Sequence, residues 1–348
     1  MSRQRQGGDC RIALLPGDGI GPEVVSSAVR VLRAAVCEYR LDFKEFSVGA
    51  GEYQRSGDPL PPGVLEELKS FDAILLGAMG LPSVRYPDGV EMTPQLDLRE
   101  KLDLYLGLRP IFLYHPGDSP LRNVSGIDLL LVRENTEGLF SSRLNPAVGE
   151  GFVEDRMRIT RRGAERVIRG AFHQAGRRRG RLALVDKANV LPSMAFFRSV
   201  FDEVASGFPD VRTERIYVDA MCLYMVQDPG RFDVVVTENM FGDILSDLAA
   251  GLVGGMGMAP SADIGDQYAV FQPSHGSAPD IAGKGIANPV ATILSAAMML
   301  DWLGAGTAAR RIEEAVRAVL GDPTRRTRDM RGSLSTEQMT EAILGALA

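Results

Sequence analysis

Four apolar runs in this chain each end on a charged residue, and that repetition narrows the folds open to it. IDLLLV (127–132) runs into Arg133, and LALV (182–185) into Asp186 and Lys187. RIYV (215–218) runs into Asp219, and FDVVV (232–236) into Thr237 and Glu238, followed by Asn239 and FGDILSD. Short β-branched and leucine-rich runs read as strands of a sheet covered on both faces. Helical segments alternate with them, so the expectation is an α/β chain with a largely parallel sheet. In such sheets a ligand sits beyond the carboxyl ends of the strands. Arg133, Lys187, Asp219 and the start of the helix after Glu238 are therefore candidates for one cleft.

The alternation begins at the N-terminal end. Strand RIALLP (11–16) meets the turn GDGIG (17–21), and a helix starts at Pro22, a favoured first-turn residue. FKEFSVG (43–49) and FDAILLG (71–77) are further strands, the second preceded by the turn SGDPLPPG (56–63) and helix VLEELKS. Residues 78–96, interrupted by Gly and Pro, predict a mobile loop. LREKLDLYLGL (98–108) predicts a helix, 141–153 a loop, and 251–266 a glycine-rich return to an apolar helix at 289–303. The last 40 residues predict helices around a polar connector near 321–332. GDGIG does not satisfy G-x-G-x-x-G, so it reads as a strand-to-helix turn and not as a dinucleotide fingerprint.

With 348 residues, 45% of them apolar, the chain can build two lobes with separate cores. RRGAERVIRGAFHQAGRRRGR (161–181) is locally basic, but the formal net charge is -6 and its one Phe, Phe172, makes no alternating aromatic-basic pattern. It reads as a helix with a solvated face, which argues against a nucleic-acid partner. Cys10, Cys37 and Cys222 show neither metal spacing nor a disulfide framework, which fits a reducing compartment. The three histidines, 115, 173 and 275, form no pair that would suggest zinc. The first ten residues lack the apolar core of a signal peptide. The longest apolar stretch, VATILSAAMML (290–300), is far short of the roughly 20 residues that span a bilayer. A cytoplasmic protein with no membrane partner is expected.

Asp243 and Asp247 are four residues apart and share one helical face with Ile244, Leu245 and Leu248 nearby. Paired carboxylates among apolar neighbours need a cation. With Asp219 from another strand end they would form an all-oxygen set suited to Mg²⁺ or Mn²⁺. The alternative is a solvated helix face. Lys187, placed after a buried strand, is either salt-bridged or a proton-transfer group. His275 opens HGSAPD, a glycine-bearing turn able to wrap a ligand.

PGDGIGPEV, VRENTEG, VDKANV, VDAM, FGDILSDL and HGSAPDIAGKGIANP together resemble the β-decarboxylating dehydrogenases. That family includes isopropylmalate, isocitrate, homoisocitrate, tartrate and D-malate dehydrogenases. The resemblance implies a two-lobed isopropylmalate-dehydrogenase-like α/β fold, not a Rossmann fold. Residues 1–105 plus 254–348 would form the cofactor-binding lobe, and 106–253 the dimerisation, substrate and metal lobe. It implies a homodimer with shared active sites. Arg99, Arg109 and Arg133 would bind the malate carboxylates through guanidinium forks. Lys187 and Asp219 would be catalytic residues supplied by the partner subunit. Asp243 and Asp247 would complete the metal site with Asp219, the ion polarising first the hydroxyl and then the keto oxygen. His275, Gly276, Ser277, Ala278, Asp280 and Asn288 would bind the cofactor. A carboxylate at Asp280 would repel a 2′-phosphate, so NAD is implied over NADP.

The chain departs from the family pattern in two places. After VRENTEG the family carries Leu-Tyr or Ile-Tyr, whose tyrosine protonates the enolate carbon after CO₂ leaves; here the position is Phe140. Water, Ser141 or Ser142 would have to substitute, or oxidation would outrun decarboxylation. In the substrate loop, isopropylmalate enzymes place leucines three and four residues before the first arginine and a glutamate seven before. Here those positions are Leu96, Gln95 and Met92. Isocitrate enzymes carry Ser and Asn six and four before it, echoed by Thr93 and Gln95, while homoisocitrate enzymes use arginine where Leu96 stands. The implied substrate is a 3-substituted malate, 3-isopropylmalate or a close alkylmalate first, then tartrate or D-malate, then isocitrate. A catalytically degenerate regulatory subunit is the alternative of a different class. The complete set of three arginines, three aspartates and Lys187 argues against it, because burying such charges is costly.

Overall fold

The computed structural model describes residues 9–36, 40–143 and 145–347; Cys37 and the first eight residues lie outside the described residues. The chain divides into two compact units. The first comprises Met1–Leu102, Gly254–Ala262 and Asp266–Ala348, and the second Asp103–Val253 and Asp263–Gly265.

Three strands come first: β1 (Cys10–Gly17), β2 (Leu41–Glu45) and β3 (Ala73–Ala78). Seven follow: β4 (Leu106–Phe112), β5 (Asp128–Glu134), β6 (Ala147–Gly149), β7 (Phe152–Glu154), β8 (Arg181–Asp186), β9 (Arg212–Tyr217) and β10 (Val234–Thr237). β11 (Pro260–Ile264) and β12 (Ala269–Pro273) complete the set.

In the first unit the strand order is β2-β1-β3-β12-β11, with β1 parallel to both β2 and β3 and β12 parallel to β3. Helices Gly21–Ala35, Val290–Trp302, Gly306–Gly321 and Thr336–Leu347 pack around it. Val290–Trp302 is buried on nearly every side. A helix apolar all round belongs in a core, which accounts for the apolar stretch noted above. Among the described residues no helix is long and apolar enough to cross a membrane.

In the second unit the order is β4-β5-β10-β8-β9, with β5, β10, β8 and β9 mutually parallel. Helix Arg161–Gly176 buries Ala164, Val167, Ile168, Ala171 and Phe172, and turns its arginines outward. Arg161 pairs with Glu203, Arg166 with Asp103 and Arg169 with Glu165. The basic cluster is thus a solvated face with acidic partners. Phe172 packs on Phe201 and Phe208, ring centroids 5.3 and 4.7 Å away, and ties this helix to Pro192–Ala205.

Five local expectations need correction. The helix expected over 98–108 ends early: helix Pro94–Lys101 is followed by Asp103 at φ 50°, and the chain then runs into β4. Residues 104–109 are buried without a break, and a strand covered on both faces has the same apolar run as a buried helix. Gly107 and Pro110, poor helix residues, were the local signal. β4 also runs antiparallel to β5, in a sheet expected to be largely parallel. The strand ending on Asp219 stops at Tyr217, so Asp219 sits in the first turn of helix Val218–Gln227. The glycine-rich return contains β11, and the 141–153 loop contains the β6–β7 hairpin.

The turn GDGIG is structural. The Asp18 carboxylate accepts from three backbone N–H groups, those of Ala50 (2.8 Å), Gly51 (2.9 Å) and Gly80 (2.8 Å). Gly19, at φ 59°, lies so close to the Ser277 carbonyl that a Cβ would sit 1.9 Å from its oxygen. Asp18→Ala leaves three N–H groups without their acceptor, at a cost of about 3 kcal/mol. The thermal unfolding midpoint should fall accordingly; an unchanged midpoint would show that the carboxylate does not anchor these segments.

Candidate active site

The second unit carries a charged constellation at the carboxyl ends of its strands. Arg133, near the end of β5, is only 3% exposed. Its Nε and Nη2 donate to Asn239 Oδ1 at 3.0 and 2.8 Å, and its Nη1 donates to Asp243. Both partners lie on helix Asn239–Leu252, whose Glu238 cap accepts from the Met240 and Phe241 N–H groups. Gly242 of that helix packs against the arginine stem: a Cβ there would fall 2.6 Å from Arg133 Cγ. Burial raises the Glu238 pKa, opposed by those hydrogen bonds.

Register brings the second arginine alongside. Gly107 of β4 stands opposite Arg133, and Arg109 is two residues further on, so both arginines point to the same face as diagonal neighbours. Arg109 donates to Asp263 at 3.0 Å, and Asn135 donates to the same oxygen at 2.8 Å. Asp263 and Asn239 were not singled out in the sequence. The available signals were an acid in the otherwise apolar PSADI segment and an Asn opening a capped helix.

Asp243 and Asp247 occupy one face of helix Asn239–Leu252, one turn apart. The Asp247 pKa is raised first by burial and then by its like-charged neighbour Asp243. Asp243 remains half exposed. Two carboxylate groups held this way fit part of the oxygen shell of a hard divalent cation. Asp219 is not brought to them: it accepts from Lys187 Nζ at 2.6 Å. It follows β9, whereas the carboxylate helix follows β10, and β8 lies between. Strands are spaced about 4.8 Å apart, so two spacings separate the strand ends. Among the described residues no three His, Cys, Asp or Glu side chains are grouped to hold a metal. The Lys187 hydrogen bond lowers the Asp219 pKa, helped by backbone N–H groups at the helix start.

Several other residues of VRENTEG and VDKANV hold local structure in place. Glu134 accepts from the Thr136 and Glu137 N–H groups and the Thr136 hydroxyl, although burial raises its pKa. Glu137 accepts from Thr160, the cap of helix Arg161–Gly176. Asp186 is fully buried and accepts two 2.7 Å bonds from Arg198. Phe140 sits in a single 3₁₀ turn with its ring beneath the Arg133 guanidinium, 5.4 Å from centroid to Cζ. Ser141 and Ser142 each donate a hydroxyl proton to a backbone carbonyl, of Gly138 and Leu139, at 2.8 Å. Both hydroxyls are therefore occupied as donors.

The remaining candidates belong to the first unit. Gln95, Leu96 and buried Arg99 lie on helix Pro94–Lys101. The Gln95 Oε1 is buried with no hydrogen-bond partner. Met92 packs into a core cluster with Ala50 and Val84. In HGSAPD, Ser277 is buried and donates to the Gly80 carbonyl, Ala278 has φ 38°, and Gly276 and Asp280 are exposed. The space a Cβ would fill at Gly276, Gly283 and Gly285 is open. His275 Nδ1 is 2.9 Å from the Gly276 carbonyl, while its Nε2 is enclosed with no partner, and burial lowers the ring's pKa. Asn288 donates to Asp329 at 3.0 Å. An open glycine turn beside a neutral imidazole with one unused ring nitrogen fits an adenine nucleoside.

Comparison with known proteins identifies the family and its fold. The family model described as isocitrate/isopropylmalate dehydrogenase matches residues 11–343. The isocitrate/homoisocitrate dehydrogenase of Thermus thermophilus is 46% identical over 344 residues, 97% of this chain and 98% of the relative. A 3-isopropylmalate dehydrogenase of Frankia casuarinae is 46% identical over 321 residues, 90% of this chain and 93% of the relative. Among solved structures, isocitrate dehydrogenase from Methylococcus capsulatus superimposes with a TM-score of 0.89 at 40% identity, covering 97% of this chain and 99% of the other. The apo β-decarboxylating dehydrogenase of Thermococcus kodakarensis gives 0.82 at 42% identity, covering 97% and 96%. The chain belongs to the isocitrate/isopropylmalate dehydrogenase family and has its α/β fold and its β-decarboxylating dehydrogenase character.

Proposed function

We propose that this enzyme oxidises and decarboxylates a 3-substituted (R)-malate with NAD, 3-isopropylmalate or a close alkylmalate being the first choice. The observation that carries this reading is the pair Arg109 and Arg133 on one face of β4–β5, with Asp243 and Asp247 alongside. Two guanidinium forks suit the two carboxylates of a malate core. Arg133 Nη1 donates to Asp243, and can turn that donor to a substrate carboxylate once Asp243 is engaged elsewhere. Asp243 and Asp247 would hold Mg²⁺ or Mn²⁺ with Asp219, and the ion would supply charge to the substrate hydroxyl and the later keto oxygen. Lys187 would take part in removing the hydroxyl proton through its amine form, with Asp219 positioning its Nζ. NAD, which accepts the hydride, would lie along His275–Asp280 and Asn288, with Asp280 disfavouring a 2′-phosphate.

We place Lys187 and Asp219 in the site of a second copy, making a homodimer with shared sites. Support comes from the apolar surface beside these groups. Leu223 and Val226 of helix Val218–Gln227 and Ile244, next to Asp243, are exposed, as are Val190 and the hairpin residues Val148, Phe152 and Val153. Exposed apolar side chains grouped around charged functional residues mark an interface.

Isocitrate is the second reading. The isocitrate/homoisocitrate dehydrogenase of Thermus thermophilus, 46% identical over 344 residues, supports it. NADH formation with Mn²⁺ across 3-isopropylmalate, D-malate, tartrate, homoisocitrate and isocitrate tests the proposal. Turnover is expected with an alkylmalate and NAD, and is expected to be lost in EDTA. Preference for NADP, or activity undiminished by EDTA, would contradict it; fastest turnover of isocitrate would establish the second reading.

Phe140 generates a separate expectation. Its ring supports Arg133, it has no proton to give, and the neighbouring serine protons are engaged. Proton delivery to the enolate carbon would then run through water. General acid catalysis contributes roughly 10²–10⁴-fold where it operates. Phe140→Tyr should raise turnover, or raise the CO₂ released per NADH formed. If wild type already releases one CO₂ per NADH and the variant changes neither rate nor ratio, another group supplies the proton.

A further inference from the structure

The strands that lead to Lys187 and Asp219 begin on Arg181 and Arg212. These two arginines are paired in register on adjacent parallel strands, β8 and β9, so their side chains leave the same face side by side. Like charges directly opposite each other are unfavourable unless something compensates them. Several nearby arginines of this unit have a carboxylate: Arg178 and Arg179 have Asp128 and Asp233, Arg198 has Asp186, and Arg215 has Asp202. Among the described residues the Arg181 and Arg212 guanidinium groups have no such partner, and they line a cleft of about 270 Å³ with Leu182, Thr213, Glu214 and Arg231.

The cleft is built for an anion. Arg231 is fixed by its 3.0 Å bond to Glu214 and by the rings of Tyr224 and Phe232, 4.8 and 4.9 Å from its Cζ. That bond also neutralises Glu214, the one acid in the cleft. The Thr213 hydroxyl accepts from Arg215 at 2.7 Å, which leaves its own proton to donate. Strands of six residues span about 20 Å, so the cleft lies at the far end of β8 and β9 from Lys187 and Asp219. It is therefore separate from the candidate active site.

We propose that this cleft is a second, non-catalytic anion site for a compact oxyanion carrying two or more negative charges, bridged by Arg181 and Arg212. Guanidinium forks bind phosphate and carboxylate oxygens bidentately, so inorganic phosphate, a nucleotide phosphate tail and a tricarboxylate share the required chemistry. The test uses the full-length enzyme and arginine modification by phenylglyoxal, with each site quantified by peptide mass spectrometry. Phosphate, pyrophosphate and citrate are compared separately against chloride at equal ionic strength. At least one should slow modification of Arg181 and Arg212 by roughly tenfold, and the effective anion identifies the source. In parallel, the affinity for that anion should fall at least tenfold in Arg181→Gln/Arg212→Gln. Protection no better than in chloride overturns the proposal, as does unchanged affinity in the double variant.

Discussion

The rest of the candidate site depends on one buried cation. Arg133 is nearly closed off from solvent, and a guanidinium in that position needs hydrogen-bonding partners, among them Asn239 and Asp243. Those contacts fasten the end of β5 to helix Asn239–Leu252, and Gly242 allows the helix to approach the arginine stem. The same contacts set the position of Asp243 and, one turn later, Asp247. Removing a partner leaves the buried guanidinium less compensated, so arginine, asparagine and aspartate act as a unit. Phe140 completes the surroundings by placing a ring face against the cation instead of a hydroxyl in the site.

Most of the motif residues around this centre hold backbone in place. Glu134, Glu137, Glu238 and Asp186 are carboxylates whose oxygens accept from turn and cap N–H groups, hydroxyls or an arginine. Asp18 does the same in the first unit. Their role is to bring strand ends and helix starts to the positions from which Arg109, Arg133, Lys187 and the two helix carboxylates project. A chain with formal charge -6 thus uses much of its acid internally, and its exposed basic residues are largely matched to acids.

The strand ends and the carboxylate helix could be read from the sequence because a buried strand that stops on a charge leaves a plain pattern. The family could be read because FGDILSDL and HGSAPDIAGKGIANP are long and specific. The partners of the arginines could not: Asp263 is distant in sequence from both Arg109 and Asn135, and only the register of β4 against β5 puts the two arginines on one face. β4 itself was hidden because continuous burial erases the period that separates strand from helix. Ser141 and Ser142 looked like spare proton donors until their local carbonyl bonds were visible.

Within one chain Asp219 is held by Lys187 and stands apart from Asp243 and Asp247, so the account requires a second copy to bring them together. The most direct measurement mixes Lys187→Ala with Asp243→Ala subunits, each inactive alone, under conditions where exchange is shown to occur. In a mixed dimer both lesions fall in one site and the other site is intact. Random re-pairing should restore about a quarter of wild-type specific activity. No recovery despite demonstrated exchange, or a fully active monomer, would contradict the shared site.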